Sequence, residues 1–185
     1  MFKARLIMTV AVMTLTVGGS LAQTQQPYAG LQSRPIKALS DRELADLRGG
    51  RGMGLALAAE LNGYPGPVHV IELADALALT AEQRGRMQHL HETMKAEAIA
   101  LGERLIEQEA DLDRQFATRT ITPVILDAAT TRIGQTKAEL WATHLRYHLA
   151  TMEVLTPDQV RRYSELRGYT SGAQGAPHHP GMHHR

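Results

Sequence analysis

In the run HLRYHLATM, His144, His148 and Met152 are spaced by four, the interval that stacks side chains on one face of an α-helix. Two imidazoles and a thioether in that arrangement suit a soft or borderline transition ion such as Zn, Ni, Co or Cu. The same residues could equally pack beside Trp141 and Leu145 with no ion. Four further histidines, His178, His179, His183 and His184, surround Met182 in the closing run SGAQGAPHHPGMHHR. They offer ligands without preset geometry, on a Gly/Pro segment that reads as a disordered tail over residues 170–185. Weak metal binding and a merely solubilising end are both open for it. His89 and His91, two apart, face different ways on a helix and read as surface residues. No catalytic constellation accompanies them: the chain has no cysteine, no G-x-S-x-G elbow, and its RGGRGMG segment lacks the G-K-[ST] end of a phosphate loop. Glu107 with Glu109 and Asp111 with Asp113 fit a solvated helix face better than an acid–base pair. The expectation is therefore a protein that is not an enzyme and requires no cofactor, with a divalent transition metal as its possible ligand.

Long helices must carry these residues. Apolar residues at Met87, Leu90, Met94, Ala98, Leu101, Leu105, Leu112 and Phe116 recur in steps of three, four and seven, which predicts one helix over 81–118 with a continuous apolar stripe. Met87, Leu90, Met94, Leu101 and Leu105 are its candidate face for a client or for a second copy. Thr122-Pro123 opens the next helix, through Ile125, Ala129, Ile133, Leu140, Trp141, Leu145 and Leu149, and the short break before it makes the chain double back. Leu79-Thr80-Ala81-Glu82-Gln83 and Leu155-Thr156-Pro157-Asp158-Gln159 are two copies of L-T-x-x-Q. Each is a helix start in which the threonine hydroxyl caps the backbone N–H three residues on and the glutamine reaches back. Leu155 is placed to staple onto Val160, whereas Arg84 holds that position in the first copy. Upstream, Ser40-Asp41-Arg42-Glu43 is a capping box, Gly49-Gly50 stops its helix, a short apolar helix spans 53–61, and Pro67 begins another through His69, Ile71, Leu73 and Leu77.

The start of the chain, MFKARLIMTVAVMTLTVGGSLAQ, places Lys3 and Arg5 before an apolar run and small residues, the order of a secretory signal peptide cleaved after Ala22. The run from Leu6 to Val17 is shorter than the ~20 residues of a spanning helix, so no stable membrane insertion is expected after cleavage. Removing 22 of the 185 residues leaves 163, a single-domain length, with 18 basic against 19 acidic side chains. That near-neutral balance gives no reason to expect nucleic acid as a partner. An exported chain without cysteine is held by packing, a partner or an ion rather than by disulfides. The expected organisation is a signal peptide over 1–22, a flexible leader with short helices over 23–66, an all-α domain over 67–169 and the tail.

Two L-T-x-x-Q copies flanking a long helical hairpin in such a chain resemble the LTxxQ signature of the Spy/CpxP family, which includes zinc-resistance-associated proteins and extracytoplasmic heavy-metal sensors. The resemblance covers residues 68–169 and leaves 48–67 unexplained. It implies an all-α, antiparallel hairpin with flanking shorter helices, a homodimer, and a periplasmic location. It also implies one of three roles: an ATP-independent chaperone for unfolded exported proteins, a metal-binding sensor or resistance protein, or a regulatory partner of an envelope signalling protein. His148 and Met152 match the H-x-x-x-M ligand pair that the sensors carry before their last helix. The sensors' other ligand cluster, on their first helix, is represented here only by His69 with Glu72 one turn away.

Overall fold

The computed structural model describes residues 28–169, so the expected signal peptide and the tail histidines lie outside the described residues. The chain divides into two units, residues 1–32 and 33–185. In the first, the Leu31 N–H donates to the Tyr28 carbonyl over 3.1 Å, in a turn that leads into a short 3-10 segment, Leu31–Ser33. All that follows concerns the second.

Every regular element among the described residues is helical: α1 Asp41–Arg48, α2 Leu57–Glu60, α3 Pro67–Glu72, α4 Ala81–Ala117, α5 Pro123–Met152 and α6 Pro157–Leu166. The starts are fixed by side chains. Ser40 caps α1 in a full capping box with Glu43, and Thr122 accepts from the Ile125 N–H at the head of α5. α2 and α3 are shorter than the sequence pattern suggests. Turns replace the first residues expected in α2, and α3 gives way after Glu72 to turns that end with Ala78 at φ +49°.

α4 and α5 lie along one another. Glu97 accepts from Tyr147 (2.9 Å), Arg104 pairs with Glu139 (3.0 Å), and Glu109 pairs with Lys137 (2.7 Å), so partner numbers fall on α5 as they rise on α4. Between α4 and α5, Thr118 to Thr122 turn the chain. Arg119 takes φ +56°, the Thr120 N–H reaches the Gln115 carbonyl and the Arg119 N–H reaches that of Phe116. That is a Schellman stop built without glycine.

One apolar cluster joins Ile36, Leu39, Leu44 and Leu47 to Ala98, Leu105 and Ile106 of α4 and to Ile133 and Leu140 of α5. The division expected at residue 66 therefore falls inside a single packed unit, because α1 and the residues before it supply core. α1 approaches α4 at Gly102, where a Cβ would lie 2.5 Å from the Leu47 carbonyl oxygen. No larger residue fits there without backbone movement. α1 then ends at Gly50, whose φ of +63° is the left-handed stop that glycine adopts without strain.

A second cluster gathers Val70, Leu77, Leu79 and Met87 with Val154, Leu155 and Tyr163. At its edge the two L-T-x-x-Q segments meet. Each glutamine Oε1 accepts from its own threonine N–H, at 3.1 Å for Thr80 and 2.9 Å for Thr156. Each side-chain amide also donates across. Gln83 Nε2 reaches the Val154 carbonyl and Gln159 Oε1, both at 2.9 Å, while Gln159 Nε2 reaches the Leu77 carbonyl (3.2 Å) and Gln83 Oε1 (3.0 Å). The caps are thus also a clasp, and the clasp explains the residue type. Glutamate would serve the capping box equally but has no N–H to give its counterpart.

Candidate functional site

α5 turns its histidines inward. His144 is 3% exposed and His148 7%, while Trp141 on the same helix is half exposed. Spacing by four places the two imidazoles one turn apart, facing the Gly-rich segment that sequence reasoning left without a role. Gly52 lies over His144, where an added Cβ would sit 3.7 Å from Nδ1. Gly66 lies tighter over His148, with a Cβ there only 2.8 Å from Cε1 and 2.9 Å from Nε2. Glycine at 66 is what lets the chain close over that ring.

Hydrogen bonding fixes one of the two rings. His148 Nδ1 lies 2.6 Å from the Tyr64 carbonyl oxygen, and since a carbonyl only accepts, Nδ1 is the donor. Glu60 of α2, also buried, stands 3.8 Å from the same nitrogen. Its carboxylate accepts from the Tyr163 hydroxyl and from the Gly66 N–H (3.2 Å), with Arg167 at 3.9 Å. Burial, and then the bond to Glu60, holds the Tyr163 hydroxyl far above the ordinary phenol pKa, so it remains a neutral donor. His144 differs, for its Nε2 is buried without any hydrogen-bond partner. Burial first, and the neighbouring His148 second, push its pKa below the ordinary histidine value.

Both residues line a cavity of about 500 Å³ bounded by residues 49–54, 56, 57 and 66–69 on one side and by α4 and α5 on the other. His69 reaches it from α3, with Nδ1 3.1 Å from the Glu72 carboxylate. His91 and Met94 reach it from α4. His91 is half-buried rather than a surface residue, and its Nδ1, like His144 Nε2, is buried and unpartnered. The signal for this pair was present in the sequence, since residues three apart share a helix face and Met94 already belonged to the apolar stripe. Glu60 carried no signal, because a glutamate in a four-residue helix reads as surface until the tertiary contacts are known.

Met152 does not join the cavity. It is half-buried at the end of α5, so the trio His144, His148 and Met152 is divided by the structure into two facing residues and one outlier. Among the described residues no three His, Asp or Glu side chains gather closely enough to hold an ion by themselves. His178, His179, His183 and His184 lie outside the described residues. The α4 stripe also differs from expectation: Met87, Met94 and Leu105 are buried, and Leu90 and Leu101 pack against the two clusters. That stripe is consumed by the chain's own core, because α1, α3 and α5 cover it. Large apolar side chains that do meet solvent include Leu57, Leu61, Trp141 and Leu149, all more than half exposed, on α2, the residue after it and α5, two helices in contact. No helix among the described residues is long and apolar enough to cross a membrane. Comparison with family models, characterised proteins and solved structures gives no match for this chain.

Proposed function

We propose that this chain is an exported, periplasmic protein of the Spy/CpxP type that works as a dimer of antiparallel helical hairpins and holds unfolded exported proteins without ATP. The observation that carries the reading is the exposed apolar set Leu57, Leu61, Trp141 and Leu149, which takes over the client-binding role first expected of the α4 stripe. Apolar side chains on neighbouring helices, set among charged residues, suit weak and sequence-tolerant capture of unfolded segments. The L-T-x-x-Q pair supports the family assignment. Trp141 is the chain's sole tryptophan and is half exposed, so it reports the encounter directly. Adding a chemically unfolded client should shift its emission to the blue, and near-stoichiometric protein should suppress light scattering from the aggregating client. Trp141→Ser together with Leu57→Ser should abolish most of that suppression. Undiminished protection by this variant, or none by the wild-type chain across several unrelated clients, rejects the chaperone role.

A second reading, a metal-binding sensor or resistance protein, is favoured by one observation: His144, one of whose ring nitrogens has no hydrogen-bond partner, lines a cavity together with His148. Zn, Ni, Co and Cu all suit imidazole. Calorimetric titration with each ion, compared with His148→Ala, tests it.

A further inference from the structure

We propose that the cavity beneath the Gly-rich segment binds a single monovalent soft cation, copper(I), through the Met94 thioether and the ring nitrogens His91 Nδ1 and His144 Nε2. The proposal rests on the metal-binding reading above and goes past it in naming the ion and a ligand set centred on α4 rather than on Met152. Its first support is the pair of unpartnered nitrogens. A buried imidazole nitrogen without a hydrogen bond loses its water and gains nothing in return, which is costly unless something else uses the lone pair. The two residues that carry them, His91 of α4 and His144 of α5, both line this cavity, and Met94 follows His91 by three residues on the same face of α4. His148 is less available, because Nδ1 is engaged by Tyr64 and the Nε2 edge is covered by Gly66.

The identity of the ion follows from the charge of the site. None of the three ligands is an anion: one is a thioether and two are imidazoles. Glu60, the carboxylate lining the cavity among the described residues, is already committed to Tyr163 and the Gly66 N–H. Lys95 adds a positive charge at the rim. Desolvating an ion costs in proportion to the square of its charge, so a divalent ion without an anionic ligand faces about four times the penalty of a monovalent one. Thioether and imidazole together select copper(I) among monovalent ions, because both are polarisable, neutral donors and low coordination numbers suffice for it.

The test uses the full-length chain with His178, His179, His183 and His184 replaced by alanine, so that the tail takes no part. Copper(I) is titrated without oxygen against bicinchoninate as competing chelator, and X-ray absorption reads sulfur and nitrogen around the bound ion. One equivalent should bind with one sulfur neighbour. Met94→Leu, which conserves volume, should remove the sulfur signal and weaken binding at least tenfold, and His91→Ala should weaken it similarly. Met152→Leu should change neither. Circular dichroism melts show whether each variant is folded. Loss of sulfur in Met152→Leu but not in Met94→Leu overturns this ligand set and leaves the metal-binding reading standing at His148 and Met152. Binding that Met94→Leu leaves unchanged overturns it as well. No retention of copper(I) together with silent calorimetry for Zn, Ni, Co and Cu removes both.

Discussion

His144 has no partner for one ring nitrogen, and burial disfavours its charged form, so its protonation state is tied to folding. In the unfolded chain the ring takes a proton near pH ~6.5, whereas in the folded protein it does so only at lower pH. Between those two values the unfolded state binds more protons, and stability therefore falls as pH falls. The contribution is complete above the unfolded pKa. We expect the urea midpoint to drop between pH 7.5 and 5.5, and His144→Gln to flatten that drop; an equal drop in the variant would place the effect elsewhere. Glu43, whose carboxylate is held below its ordinary pKa by Ser40, acts only in a more acid range and does not obscure the comparison. That His144 and His148 share one face of α5 could be read from spacing alone. What covers them could not, because Gly52 and Gly66 act through the absence of a side chain against a ring more than 80 residues away.

At the scale of elements, helix starts were more legible than helix ends. Ser40, Thr80, Thr122 and Thr156 all cap the helices expected of them, since the chemistry of a cap lies within four residues. Gly50 announced the end of α1, but the left-handed residues Ala78, which closes the turns after α3, and Arg119, which stops α4, carry a steric cost and give no local warning. The clasp between the two L-T-x-x-Q segments was likewise hidden, because each copy is complete as a cap. Gln83→Glu separates the two roles. The cap of α4 persists, while the donors to Val154 and Gln159 vanish and a carboxylate oxygen is left facing the Gln159 Oε1. We expect a loss of about 2 kcal/mol from the broken and unsatisfied hydrogen bonds. A double-mutant cycle of Gln83→Ala with Gln159→Ala should show coupling of about 1 kcal/mol, and additive losses would mean that the amides do not act together.

For the molecule as a whole, the point of greatest constraint is the crossing of α1 over α4. Alanine at 102 would gain up to ~1 kcal/mol of helix propensity but must push the Leu47 backbone away, and overpacking of this kind costs about 1–3 kcal/mol. The clash should win, because the obstacle is a carbonyl group of a neighbouring helix rather than a flexible side-chain end. Gly102→Ala should therefore lower the denaturation midpoint, and an unchanged or higher midpoint would show that α1 can ride up without loss. The sequence pattern identified the long helices and their apolar stripe, yet it left α1 outside the domain, since a short amphipathic helix does not state what it packs on. The clasp also bears on the order of assembly. Gln83 and Gln159 are 76 residues apart, so their bonds reward the chain only after the intervening helices have formed and folded back. On loop-closure grounds we expect it to form late, together with the second cluster, which contains Val70, Met87 and Tyr163.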